Sequence, residues 1–144
     1  MKNLFFVTLG LFMFLSTSDA QVRFGAGAQL MFDGSIFGVQ GKALYQVNES
    51  IDAAGTFTLH LEDGVNWTID LEAHYLLLEF ANDIGFKPIA GLGITNFDFI
   101  GTEIGLNIGA FFDVFRSNNM QFYVEPKLRI GDYDTFIVSG GILF

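Results

Sequence analysis

The sequence predicts an all-β fold, an eight-stranded antiparallel up-and-down transmembrane β-barrel, and three observations predict it. Apolar and polar residues alternate strictly in repeated short stretches, with turn residues between them. Hydrophobic residues make up 51% of the chain and charged residues only 16%, below the roughly 25% charge of a soluble domain. Glycine (17) and phenylalanine (18) are both abundant, which suits tightly paired strands bounded by aromatic belts.

Residues 1–20 stand apart from this pattern. Met1-Lys2-Asn3 is a short basic start, Leu4 to Leu15 is apolar, and Ser18-Asp19-Ala20 places small residues where signal peptidase reads. The apolar run is too short to cross a bilayer comfortably as a helix. The segment is expected to be a secretory signal peptide cleaved between Ala20 and Gln21, leaving 21–144 as one barrel domain.

Eight strands are expected near 22–32, 35–47, 51–62, 66–78, 86–97, 102–115, 120–131 and 135–144. The clearest is Met120 to Ile130. Met120, Phe122, Val124, Pro126, Leu128 and Ile130 form one face, and Gln121, Tyr123, Glu125, Lys127 and Arg129 form the other. Face parity then constrains the turns, because side chains alternate with period two. Strand one is apolar at even positions and strand two at odd ones, which requires an even loop; Asp33-Gly34 supplies a two-residue hairpin. Strands six and seven are both apolar at even positions. An odd loop, Ser117-Asn118-Asn119, satisfies them if Asn119 is left-handed.

Alternation alone does not say whether the apolar face points in or out. The distribution of residues along each strand favours outward. Phe32, Phe37, Trp67 and Phe136 cluster at one rim, and Phe24, Tyr45, Tyr75, Phe86, Phe112, Phe122 and Phe144 toward the other. Between them lie smaller or aliphatic side chains such as Ala28, Val39, Ile69, Leu71 and Leu92, with Phe57 an exception. Aromatic girdles flanking an aliphatic band mark a lipid-facing surface.

The polar face reads as a filled lumen. The hairpin register sets Gly25 opposite Lys42, Gly27 opposite Gln40 and Gly38 opposite Gln29, each glycine leaving room for a long neighbour. Arg23, Lys42, Lys87, Lys127 and Arg129 fall on this face, together with Asp52, Asp70, Glu72, Glu103, Asp113 and Glu125. Near-balance of charge is what a confined interior requires. A lumen charge network is therefore expected from Arg23, Lys42, Asp70, Glu72, Lys87, Glu103, Glu125, Lys127 and Arg129. Most of the excess negative charge lies in turns, and Pro88 and Pro126 interrupt strands, the second consistent with a bulge.

With these residues placed, the mature chain resembles the small outer-membrane β-barrels of the OmpA/OmpX type, the outer membrane protein β-barrel domain proteins of Gram-negative bacteria. The last strand carries the resemblance best: Phe136, Val138, Gly140, Ile142 and Phe144 alternate and end in Phe, similar to the assembly signal of such barrels. The Pro88-Ile89-Ala90-Gly91-Leu92-Gly93 run is also similar to a segment common among them. The resemblance implies outer-membrane lipid as surroundings, the barrel-assembly machinery as a partner during biogenesis, and a bacterial outer-membrane location. It departs from the family in two respects: Pro88 and Pro126 sit inside strands, and the loops expected to be extracellular are short.

Chemistry beyond this is sparse. The chain has no cysteine, hence no disulfide, thiolate metal site or lipoprotein anchor, and its net charge of −9 opposes nucleic-acid binding. With an odd loop around Asp63-Gly64, His60 lies opposite Thr68 and His74 opposite Ala54. The two histidines are then roughly 20 Å apart, too far to share a metal, and each is expected to be a satisfied lumen residue. Ser139 points inward with no histidine expected beside it. No catalytic, cofactor or metal site is expected, and a monomer is. The resulting reading is a membrane barrel with a side-chain-filled lumen and a structural or interaction role. A narrow channel for water or small solutes, and a soluble lipocalin-like ligand-binding barrel, are the alternatives.

Overall fold

The computed structural model describes residues 22–80, 84–117 and 119–144, so the signal segment and its Ala20/Gln21 junction lie outside the described residues. The strands are β1 (Val22–Met31), β2 (Ile36–Gln46), β3 (Ile51–His60), β4 (Val65–Tyr75), β5 (Leu78–Phe80), β6 (Ile84–Phe97), β7 (Gly101–Ser117), β8 (Met120–Gly131) and β9 (Thr135–Leu143). Each pairs antiparallel with its neighbours, and β1 pairs with β9, while β4 and β5 both pair with β6. β5 therefore continues β4 past a break at Leu76-Leu77, and the sheet closes into a barrel of eight staves. Closure removes every open sheet edge, which a bilayer would not tolerate.

The apolar face points outward. Leu71, Leu92, Ile104 and Leu128 are each more than half exposed along the middle of the wall. The alternate positions are buried, as the burial pattern of β8 records. Girdle aromatics meet at both rims: Phe32 packs on Phe136 with ring centroids 5.4 Å apart, and Phe86 on Phe112 at 5.3 Å. A soluble barrel with its apolar face inside is not what forms.

The β1–β2 register is the one expected, with Gly25 opposite Lys42, Gly27 opposite Gln40 and Gln29 opposite Gly38. The ladder stops at Met31–Ile36, and the turn over 32–35 places Gly34 at φ 90° and Ser35 at φ 53°. Two other hairpins differ from expectation. Across β3–β4, His74 lies opposite Asp52 and Thr68 opposite Thr58, two residues from the expected register. The strands end at His60 and resume at Val65, with Gly64 at φ 100° in the turn. A slip of two preserves every side chain's face, so the lumen set is unchanged.

At β7–β8 the expected three-residue loop is replaced by a two-residue one. Ser117 pairs with Met120. Parity is instead restored by a β-bulge between Asp113 and Phe115, where Val114 is the extra residue. Beyond it, Lys127 faces Gly109 and Arg129 faces Asn107, as the odd loop also required. Pro126 is not at this bulge. It pairs with Val138 on β9, while the β7–β8 ladder has a gap between Gly109–Lys127 and Phe112–Val124. The gap lies on the side where proline has no N–H to give.

Candidate functional site in the barrel lumen

The interior is layered. At the end marked by Asp33, Met31, Ile36, Val65, Phe97 and Ile137 form an apolar cluster with Tyr133 packed against it. The Tyr133 hydroxyl donates to the Asp33 carbonyl at 3.1 Å, tying two turns together. Burial and the neighbouring Asp33 push that phenol above the ordinary tyrosine range. Gly64 N–H and Asn66 Nδ2 both donate to the Asp98 carboxylate, joining two further turns.

Below this cluster lies the charged layer. Lys127 on β8 reaches Asp70 at 3.0 Å and Glu72 at 2.7 Å on β4, and Glu125 on its own strand at 3.2 Å. Arg129 pairs with Asp70, and Lys42 on β2 pairs with Glu125. Asn107 on β7 bridges the two β4 acids, donating to Asp70 at 2.8 Å and Glu72 at 2.9 Å, and accepts from Arg129 Nε at 2.9 Å. All of these side chains are buried. Three acids meet three cations across the full width of the lumen, which is how buried charge is tolerated.

A third layer separates this network from the opposite mouth. Leu44, Ala54, Ile89, Phe111, Tyr123 and Leu143 pack together, and the Phe111 and Tyr123 rings stack at 5.1 Å. Lys42 Nζ lies 5.5 Å from the Phe111 centroid and Lys87 Nζ lies 5.7 Å from it, so a cation from each compartment contacts that ring. At the far mouth Lys87 pairs with Asp52 at 2.7 Å, Arg23 donates to Gln121, and Arg116 lies 3.8 Å from Asp113. Arg23, Asp52, Lys87, Asp113 and Arg116 line a cavity of about 400 Å³.

The expected lumen network is thus divided. Lys42, Asp70, Glu72, Glu125, Lys127 and Arg129 come together, while Arg23 and Lys87 belong to the mouth. Glu103 joins neither: it is half-buried and its Oε2 makes no hydrogen bond. It sits near the Asp33 end, in a small cavity with Arg129 and Tyr133. Asn107 was placed opposite Arg129 by the sequence but not as a bridge between the acids, and Thr95 was not singled out, because neutral polar residues carry no charge signal. Phe111 and Tyr123 were legible as inward by parity, but not as a stacked layer.

The role of the glycines also needs correcting. A Cβ at Gly25 or Gly27 would strike the backbone of β9, not Lys42 or Gln40. Space for long side chains is made elsewhere. A Cβ at Gly93 would lie 2.5 Å from Arg129 Cζ and one at Gly105 2.6 Å from Arg129 Cγ, whereas one at Gly109 would strike the β8 backbone at Pro126 and Lys127.

His60 and His74 take no part in one site. His60 Nε2 is 2.9 Å from Thr68 Oγ1. His74 is fully buried against Phe111, and neither ring nitrogen has a hydrogen-bond partner, contrary to the expectation of a satisfied lumen histidine. Ser139 points inward as expected, and its Oγ makes no hydrogen bond to any described residue. In the last strand, Phe136 and Phe144 are exposed and Val138 and Ile142 half-buried, all on the outward face.

No model of a known protein family matches the chain, and no curated protein does. Solved structures do. The N-terminal β-barrel domain of Pseudomonas aeruginosa OprF is similar with a TM-score of 0.71 at 18% identity, over 88% of this chain and 98% of that one. A de novo designed transmembrane β-barrel gives 0.59 at 14% identity, over 88% and 97%. Ail, the attachment invasion locus protein of Yersinia pestis, gives 0.51 at 13% identity, over 86% and 94%. The chain therefore has the fold of the small eight-stranded outer-membrane β-barrels, the OmpA/OmpX-type architecture that its last strand and its alternating faces implied.

Proposed function

We propose that this chain is an integral outer-membrane barrel whose lumen is closed by side chains, with a structural or interaction role and no catalysis. One observation carries the reading: Lys127 is held by Asp70, Glu72 and Glu125 at the centre of the lumen, between two apolar layers. Eight strands leave an interior just wide enough to be filled in this way. The protein is exported through a cleaved signal peptide and surrounded by outer-membrane lipid, with the Asp33 end extracellular. The outward stripe of Phe136, Val138, Ile142 and Phe144 is the surface offered to the assembly machinery, and the protein is a monomer. Recording the purified protein in planar bilayers tests the closed lumen. Little or no ion current is expected. Steady large-conductance openings would overturn the reading and favour a channel. Extraction of cell membranes tests the location: the chain is expected to remain with outer membranes until detergent is added, and release into buffer alone would refute it.

A further inference from the structure

His74 is a lumen side chain whose chemistry the ion-pair network leaves unused. It is fully buried, and both ring nitrogens lack hydrogen-bond partners. Its Nε2 lies 3.8 Å from Glu72 Oε2 and 4.0 Å from Glu125 Oε2. One ligand atom from each of Glu72, His74 and Glu125 lies within 4.8 Å of the other two. Such separations are too long for direct hydrogen bonds, and they leave space for one small particle between the atoms.

The two glutamates are oriented toward that point. Lys127 Nζ holds the other oxygen of each, Glu72 Oε1 at 2.7 Å and Glu125 Oε1 at 3.2 Å. Asn107 adds a second hydrogen bond to Glu72 Oε1 at 2.9 Å. Glu72 Oε2 is buried and unpartnered. Groups that fix the outer oxygen of a carboxylate and turn its inner oxygen to a common centre are what supports a metal ligand.

We propose that Glu72, His74 and Glu125 form a binding site for a divalent transition-metal cation of the Zn²⁺ type inside the barrel. One imidazole and two carboxylates are a donor set that suits such ions, at ligand distances of about 2.0–2.2 Å. A contraction of a few tenths of an ångström closes the observed triangle around the ion. His74 lies against the apolar layer that faces the far mouth, and its cross-strand neighbour Asp52 lines the cavity there.

Charge sets the terms of binding. Asp70, Glu72 and Glu125 are already matched by Lys42, Lys127 and Arg129. The ion must displace the Lys42 ammonium from Glu125 Oε2. Lys42 has a second resting place, because its Nζ already lies 5.5 Å and 5.2 Å from the Phe111 and Tyr123 ring centroids. Lys42 and the metal are therefore competitors for one carboxylate oxygen, a relationship that an adventitious surface site does not share.

The test uses tag-free protein folded in detergent micelles and titrated calorimetrically with ZnCl₂, with Co²⁺ absorption as a second probe. Wild type is expected to take up one Zn²⁺ per barrel. Lys42→Met removes the competing charge and is expected to tighten that binding by about tenfold or more. His74→Ala should abolish it and Glu72→Gln weaken it, while His60→Ala leaves it unchanged. Heat-modifiable migration establishes that each variant is folded. If His74→Ala does not fold, the comparison of Lys42→Met with wild type and the Co²⁺ spectrum of Lys42→Met decide the matter. Equal affinity in wild type and Lys42→Met, no stoichiometric uptake in either, or uptake that persists in folded His74→Ala would overturn the site and leave an ordered water between these atoms.

Discussion

Lys127 Nζ and Asp70 Oδ2 lie 3.0 Å apart with both side chains fully buried, although β8 and β4 share no ladder. The contact crosses the lumen, so it acts as a strut between opposite walls. Lys127→Met would leave Asp70, Glu72 and Glu125 with only Lys42 and Arg129 to balance them. A cost of about 3–5 kcal/mol is expected for stranding buried charge in this way. Denaturant unfolding from lipid vesicles measures it. The Lys127→Met/Asp70→Asn double variant should lose less than the two single losses added together.

Arg129 occupies space that two glycines vacate. Gly93→Ala places a methyl against its guanidinium, and overpacking of this kind costs about 1–3 kcal/mol. The cost should fall when Arg129 is also replaced by Gln, because the clash is with the far end of the arginine. Additive losses in the double-mutant cycle would mean that the backbone, and not Arg129, sets the requirement for glycine.

Leu71 is 59% exposed at mid-wall on β4. Leu71→Arg should destabilise the barrel in lipid by about 2–4 kcal/mol, the usual cost of a charge at the bilayer centre. Leu71→Val should be nearly neutral at the same position. Unfolding in vesicles gives both values, and equal costs would argue against contact with hydrocarbon there.

Val114 is an extra residue in β7, opposed with Phe115 to the single residue Phe122. Deleting it joins Asp113–Tyr123 directly to Phe115–Phe122 without turning any side chain over. A folded, heat-modifiable barrel is expected from this deletion. Deleting Leu106 instead, in the regular part of the same strand, reverses the faces of every residue on one side of the cut and should abolish folding. Gel migration before and after heating reads the difference.

The sequence by itself determined which residues face the lumen and which face outward, because side-chain direction in a strand has period two and survives errors in the turns. The β3–β4 hairpin is offset by two residues and the β7–β8 loop is one residue shorter than its parity demanded, yet Asp70, Glu72, Lys127 and Arg129 all remain inside. The closed eight-stave barrel was legible for the same reason, from the number of alternating stretches and the aromatic residues at their ends. Only the tertiary structure decided what meets what. Pairing across the lumen depends on barrel stagger and on which glycines admit a long side chain, and neither is a local property of the chain. It is why Lys127 holds three acids while Glu103 Oε2 meets no hydrogen-bond donor among the described residues. It also explains how His74, far from His60 in the sequence reading, comes to lie between two glutamates from different strands, one of them brought there only by closure of the barrel.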